Sequence, residues 1–281
     1  MASIRPMDNE GLLVNVLKYT VLIIGCLLVL IPLVVVLLGS FKSHNDFLTS
    51  GVFAFPQDGL AWSNYKEAFL KGRVLEGLWN TLVILAISCV GTIITGTMTA
   101  FVVQRFKSIL TTVTKAAFLA ATLLPNITMQ VTVFQVVNRL GLYNTILAPI
   151  ILYVGTDIIS IYIFIQYLNQ ISISLDESAI IDGASYPRVY WSVILPILRP
   201  AIATVLVIKF IGIYNDFYTP NLYMTKLRVV STALYSFIGP YGAKWEIIFA
   251  GVVICIIPSL IIFIALQKFI YTNLVSGSVK E

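Results

Sequence analysis

Long apolar blocks separated by single charges or short polar stretches make up most of this 281-residue chain. A charge at mid-bilayer costs roughly 2.5–3.5 kcal/mol and a spanning helix needs about 20 apolar residues, so the spacing between charges is a ruler for spans. Charge-free gaps long enough for a span run from Lys18 to Lys42, Glu76 to Arg105, Lys115 to Arg139 and Glu246 to Lys268. Two further apolar stretches, about 145–168 and about 200–220, have the length but are interrupted by Asp157, and by Lys209 and Asp216. The pattern predicts six membrane-spanning helices. The blocks stay apolar for several helical turns where a membrane barrel would alternate, so the fold class is all-α.

Pro32, Pro125 and Pro258 fall within spans and predict kinks more than breaks, because neighbouring helices or water can satisfy the freed carbonyls. Ser88, Thr92, Gly96 and Ala100 recur every fourth residue, a small-residue stripe on which another helix can pack closely. Trp62, Trp79 and Trp245 flank spans and suit an interfacial belt. The first span is full length, lacks a small-residue cleavage site and follows an 18-residue polar tail, so it is expected to stay as an anchor.

Composition excludes most other classes. With 58% hydrophobic and 11% charged residues, the chain has too few charges to build the polar surface of a soluble enzyme. The net charge of +5 does not indicate nucleic acid, because its Lys and Arg are scattered singly and form no run that could track phosphates. Cys26, Cys89 and Cys255 have no neighbour at metal or redox spacing and read as buried hydrophobes. The single histidine, His44, has no partner at ligand spacing and reads as a solvated loop residue. No Walker A sequence is present, so ATP chemistry has to come from another chain.

Six spans place both termini, the 104–115 loop and the 169–199 loop on one side. Orientation is undecided by charge, since nine Lys and Arg on that side face eight on the other. The 169–199 loop contains ISISLDESAIIDGASYPRVYWSVILPILRP and is built like two short helices. Ser174 and Glu177 have the spacing of a capping box that starts a helix at Leu175. Gly183 can end it in the left-handed conformation, Ser185 can cap a second helix, and Pro187 fits that helix's first turn. Pro196 and Pro200 mark the approach to the fifth span.

Glu177-Ser178-Ala179, three residues, Gly183, nine residues, then Val193, Leu195 and Pro196 follow the spacing of the EAA loop. In this the chain resembles the permease subunits of binding-protein-dependent ABC importers. Asp182, Ala184 and Ser185 complete a DGAS variant of that loop. Most of the chain is similar to the carbohydrate-uptake group, in particular to the second permease of maltose-type importers. The similar stretches include FP...LAWSNYKEAF (Phe55 to Phe69), Asn80-Thr81-Leu82, the run from Leu140 to Thr145, Tyr214-Asn215-Asp216-Phe217 and the ending Ser276 to Glu281. Ser172, Ser174, Tyr214, Lys209 and Asp157 depart from the usual residues at their places.

The resemblance implies a type I ABC importer permease fold. It implies a cytoplasmic tail at 1–18, a first span at 19–41, an extracytoplasmic loop at 42–76, a core at 77–268 with five spans, and a cytoplasmic tail at 269–281. Glu177, Ser178, Ala179, Asp182, Gly183, Ala184, Ser185 and Pro196 are then expected to couple transport to a separate ATPase. The implied partners are a homologous permease, an ATP-binding subunit dimer that holds ATP and magnesium, an extracytoplasmic binding protein, a carbohydrate substrate and the lipid bilayer of a bacterial inner membrane. No cofactor and no nucleic acid are expected on this chain, and it is not expected to be an enzyme. Asp157, Lys209, Asn215 and Asp216 are candidates for the pathway or the partner interface, since intramembrane polar groups mark function by default. Lys209 is expected to face the bundle interior, with Asp216 two turns on or Asp157 as its counter-charge. Two alternatives stand beside the sugar importer: an importer for a non-sugar solute, and an ion-coupled carrier in which Asp157 and Asp216 titrate.

Overall fold

The computed structural model describes residues 12–155, 157–239 and 242–278. The start of the N-terminal tail and the last residues of the Ser276 to Glu281 ending lie outside the described residues. Backbone contacts divide the chain into two units, 1–72 with 236–256 and 73–235 with 257–281.

The first unit contains α1 (Leu12–Ser40), α2 (His44–Thr49), α3 (Trp62–Lys71) and the beginning of the last helix. Pro32 lies inside α1 without ending it. Polar bonds lock the loop after α1: Asn64 Nδ2 donates to the carbonyls of Ser40 and Lys42 at 3.0 and 2.8 Å, and buried Lys42 donates to Ser50 Oγ and Gly51 O at 2.7 Å. His44 does have a partner. Its Nδ1 lies 3.0 Å from Glu246 Oε1, a contact between residues too distant in sequence for spacing to reveal.

The second unit is built on α4 (Val74–Arg105), followed by α5 (Ile109–Thr122), α6 (Asn126–Arg139), α7 (Leu147–Gly155), α8 (Ile158–Asn169) and α9 (Ser174–Ile181). Next come α10 (Tyr186–Val189), a widened π turn over Tyr190–Ile194, α11 (Leu195–Ile197), α12 (Arg199–Asn215), α13 (Tyr218–Tyr223) and α14 (Val230–Ala233). A two-residue antiparallel pair, β1 (Ile238–Gly239) with β2 (Gly242–Ala243), precedes α15 (Trp245–Ser278), which contains Pro258 without a break.

Among the described residues α1, α4, α15 and the α7–α8 stretch are long and apolar enough to cross a bilayer, and a fifth span is a pair of helices bent by 70°. The bend separates the stretch Tyr186–Ile197 from α12, at Leu198. Pro200 explains it, because its ring removes an amide and crowds the carbonyl of Pro196. The third expected span is two helices, and here the kink reading of Pro125 is corrected: α5 ends at Thr122 and Pro125 starts α6. A residue before proline avoids the helical region, so Leu124 stops the turn.

The helix α4 packs against α7, α8, α12 and α14. Its small stripe is buried at Ser88, Thr92, Gly96 and Ala100, and a Cβ on Gly96 would stand 3.0 Å from the Phe164 ring. Near its start Thr81 Oγ1 accepts from Val230 N at 3.0 Å, and Asn80 Nδ2 donates to Arg228 O at 2.8 Å. That gives Asn80-Thr81 a structural reason. Gly77 sits under the same strap, where a Cβ would lie 3.1 Å from the Val229 carbonyl carbon. Backbone cannot swing aside as a side chain can, so Gly77→Leu should cost about 1–3 kcal/mol of stability through overpacking. The readout is the melting temperature of the purified complex, and an unchanged midpoint contradicts the close packing.

Candidate coupling segment and intramembrane ion pair

The coupling segment begins one residue earlier than its capping pattern suggests. Ile173 is the N-cap without a side-chain bond and Ser174 is already helical, so the Ser174–Glu177 capping box does not form. The competing bond is local. Ser172 Oγ accepts the Ser174 amide at 3.3 Å, and the amides of Asp176 and Glu177 go to the Ile173 carbonyl at 2.9 and 3.1 Å. Asp176 and Glu177 still complement the helix dipole in the first turn.

The other end follows the expectation. Gly183 adopts φ +83°, its amide bonds Ile180 O at 2.9 Å, and Ala184 N bonds Ala179 O at 2.9 Å. These two bonds are a Schellman motif, which closes the helix on its own carbonyls. Ser185 then precedes α10 in extended conformation without a side-chain cap, and Pro187 lies in the first turn.

The helix α9 has two distinct faces. Asp176 is buried, and Ala179 and Ala184 pack on the core formed by Phe164, Leu168 and Val189. Glu177, Ser178 and Asp182 are exposed, Ile181 is 85% exposed, and Pro196 is exposed on α11. A rigid, capped helix thus offers a mixed apolar and acidic surface. Asp176, which belongs to no motif in the sequence, has its Oδ2 2.6 Å from Arg105 Nε at the end of α4. The available signal is weak: Arg105 is the first charge after the second span, and Asp176 is the inward member of an acidic dipeptide.

Deeper in the unit, Lys209 Nζ lies 2.8 Å from Asp157 Oδ2 and donates to Tyr153 O at 2.6 Å. Both charged side chains are largely buried, at 13% and 10% exposure. Asp157, expected as a charge inside one span, instead caps α8 where the span breaks, accepting from Ser160 N at 3.3 Å. The break suits both charges. The last turn of α7, where the Tyr153 carbonyl accepts from Lys209, favours the ammonium, while the start of α8 favours the carboxylate.

Asp216 does not meet Lys209 directly. Its Oδ2 accepts from Tyr153 Oη at 2.8 Å and its Oδ1 from Thr219 N at 3.1 Å. Tyr153 therefore links the two sites, through its carbonyl and its hydroxyl. Asn215 stands apart, exposed, with Nδ2 donating to Ile211 O at 2.9 Å. Among the described residues no group of three or more His, Cys, Asp or Glu is placed to hold a metal ion.

The family described as binding-protein-dependent transport system inner membrane component matches residues 92–275, a range that takes in both the ion pair and the coupling segment. The chain belongs to this family. The permease is 30% identical over 276 residues to a probable starch degradation products transport system permease of Thermoanaerobacterium thermosulfurigenes, across 95% of this chain and 99% of the relative. A melibiose/raffinose/stachyose import permease of Bacillus subtilis is 26% identical over 256 residues, across 89% and 91% of the two chains. In fold the permease is similar to a chain of a bacterial ABC transporter involved in the import of the acidic polysaccharide alginate, with a TM-score of 0.78, 21% identity, and coverage of 95% and 99%. Family membership makes the permease a multi-pass membrane transport subunit that works with solute-binding and ATPase partners.

Proposed function

We propose that this permease forms one half of a translocation pathway for a sugar or oligosaccharide, fed by an extracytoplasmic binding protein and driven by ATP hydrolysis on a separate subunit dimer. The observation that carries the reading is α9, closed at Gly183 and exposing Glu177 and Ile181 while its other face is seated on the core. Stiffness is what coupling requires, because a flexible loop would absorb the ATPase movement before it reached the spans. In this reading Glu177, Ser178, Ala179, Asp182, Gly183, Ala184, Ser185 and Pro196 serve the coupling, and ATP and magnesium are held by the partner.

The α9 end is then cytoplasmic, with the tails at 1–18 and 269–281, and the 42–76 loop faces the binding protein in a bacterial inner membrane. A second, homologous permease supplies the other half of the pathway. The apolar length of α1, which has no buried residue from Val14 to Leu38, is suited to lie against it and against lipid. The sugar assignment is supported by the starch-product and melibiose relatives.

Energetics provides the test. Uptake of labelled oligosaccharide should stop on ATP depletion and survive a protonophore when ATP is held constant. Uptake that follows the proton gradient instead would assign Asp157 and Asp216 to an ion-coupled carrier. ATP-driven uptake of a polyamine or phosphate in place of sugars would keep the importer and change its cargo.

A further inference from the structure

We infer that Arg105 is a positioning residue for coupling: its buried ion pair with Asp176 fixes α9 to the end of α4, so that movement of α9 is delivered to the second span. The inference rests on the coupling role proposed for α9 and adds the route by which its movement leaves the segment.

The two side chains are 7% and 9% exposed, unusual for charges at the end of a span. The Arg105 guanidinium reaches two points on the segment. Nε approaches Asp176 Oδ2 at 2.6 Å, and Nη2 donates to Ile171 O at 3.2 Å, just before the helix begins. Both charges also sit where helix dipoles favour them, Arg105 in the last turn of α4 and Asp176 in the first turn of α9.

The apolar part of the same contact cannot serve as the joint. Ala179 and Ala184 are small, and apolar packing is non-directional, so α9 could slide or roll on it. The guanidinium holds the segment at two points, by close charge contact at Asp176 and by its hydrogen bond to Ile171 O, and a two-point hold resists both motions where a single flexible ammonium would not. The rest of α4 reinforces the connection. Thr97 Oγ1 and Tyr190 Oη are 2.7 Å apart and buried, and the Phe106 and Tyr186 rings lie 5.0 Å apart, so α4 also holds the second helix of the segment. Gln104, beside Arg105, bonds Asn169 at the end of α8 and accepts from Lys115 of α5 at 3.2 Å. The helix α4 is therefore the element onto which the segment, α8 and α5 are tied at this end. Of the two helices of the segment, α9 reaches α4 through the Arg105 pair.

A pair that only stabilised the fold would change how much complex forms, and transport and ATP hydrolysis would fall together. A joint changes their ratio. In proteoliposomes holding the whole importer, Arg105→Gln should lower sugar moved per ATP hydrolysed by about fivefold or more, a typical size for a lost coupling between sites. Arg105→Lys keeps the charge pair, and with it assembly, but loses the second point of hold, and its ratio should fall as well. A wild-type ratio from Arg105→Lys overturns the joint. An independent readout needs no transport: with spin labels on Ser178→Cys and Val102→Cys, the distance distribution in the complex should be narrow with Arg105 and broad in Arg105→Lys. Equal widths overturn the inference. If the unsubstituted importer moves sugar at the expense of ATP and Arg105→Lys does so equally well, the joint fails alone. If the unsubstituted importer shows no ATP-driven uptake, the functional reading fails, and the spin-label widths still decide the joint.

Discussion

Gly183→Val should abolish uptake while the permease remains in the membrane at its normal level. The position is open, with no atom within 4 Å of an added Cβ, so the penalty is purely conformational. At φ +83° a β-branched side chain costs about 1–2 kcal/mol or more, and the chain escapes that cost by leaving the left-handed region. Leaving it breaks the bond from Ala184 N to Ala179 O, which fixes where α9 stops and how the next helix departs. Insertion of the spans does not depend on that bond. Gly183→Asn is the control, since asparagine tolerates the left-handed region, and it should keep most of the uptake. Labelled-sugar uptake at matched membrane levels separates the outcomes: wild-type transport by Gly183→Val would remove the lever from the account, and loss in both variants would trace the defect to the side chain.

The second large effect is expected at Lys209. Lys209→Met removes one member of a pair in which both side chains are nearly buried, and it strands Asp157 at a helix start inside the bundle. Breaking a buried pair on one side typically costs about 3–5 kcal/mol, because the remaining charge keeps its desolvation penalty. Complex yield should therefore fall several-fold in Lys209→Met and recover in Lys209→Met with Asp157→Asn, where the asparagine can still cap α8. A restored yield with altered sugar preference would add a pathway role to the structural one. Normal yield and uptake in Lys209→Met would show that the pair holds nothing together.

The parts of this fold that could be read from the chain are those governed by one local rule. Unbroken apolar runs give α1, α4 and α15, and a glycine near the middle of the 169–199 loop gives the Schellman end of α9, because each depends on neighbours within a few residues. The small stripe from Ser88 to Ala100 was legible for the same reason: helix periodicity alone puts those residues on one face.

Pattern and structure part where two local rules compete. Ser174 has the spacing of a capping box, yet the Ser172 hydroxyl two residues earlier takes its amide and the helix starts at Ser174 itself. Pro125 has the setting of a kink and is a break, because Leu124 before it is pushed out of the helical region as well. Asp157 looked like a charge interrupting a span, and it is the cap that restarts the helix. Pairings across the fold were the least legible. Asp157 could be named as a candidate partner of Lys209 only because intramembrane charges are so few, whereas Arg105 and Asp176 lay among several charges at the ends of spans and nothing local matched them.

The most direct measurement is a photo-crosslink from Ile181, the outermost side chain of α9, with a benzophenone amino acid in its place in the assembled importer. The account predicts an adduct with the ATP-binding subunit. A complex that retains that subunit but yields adducts only with lipid or with the binding protein would contradict it.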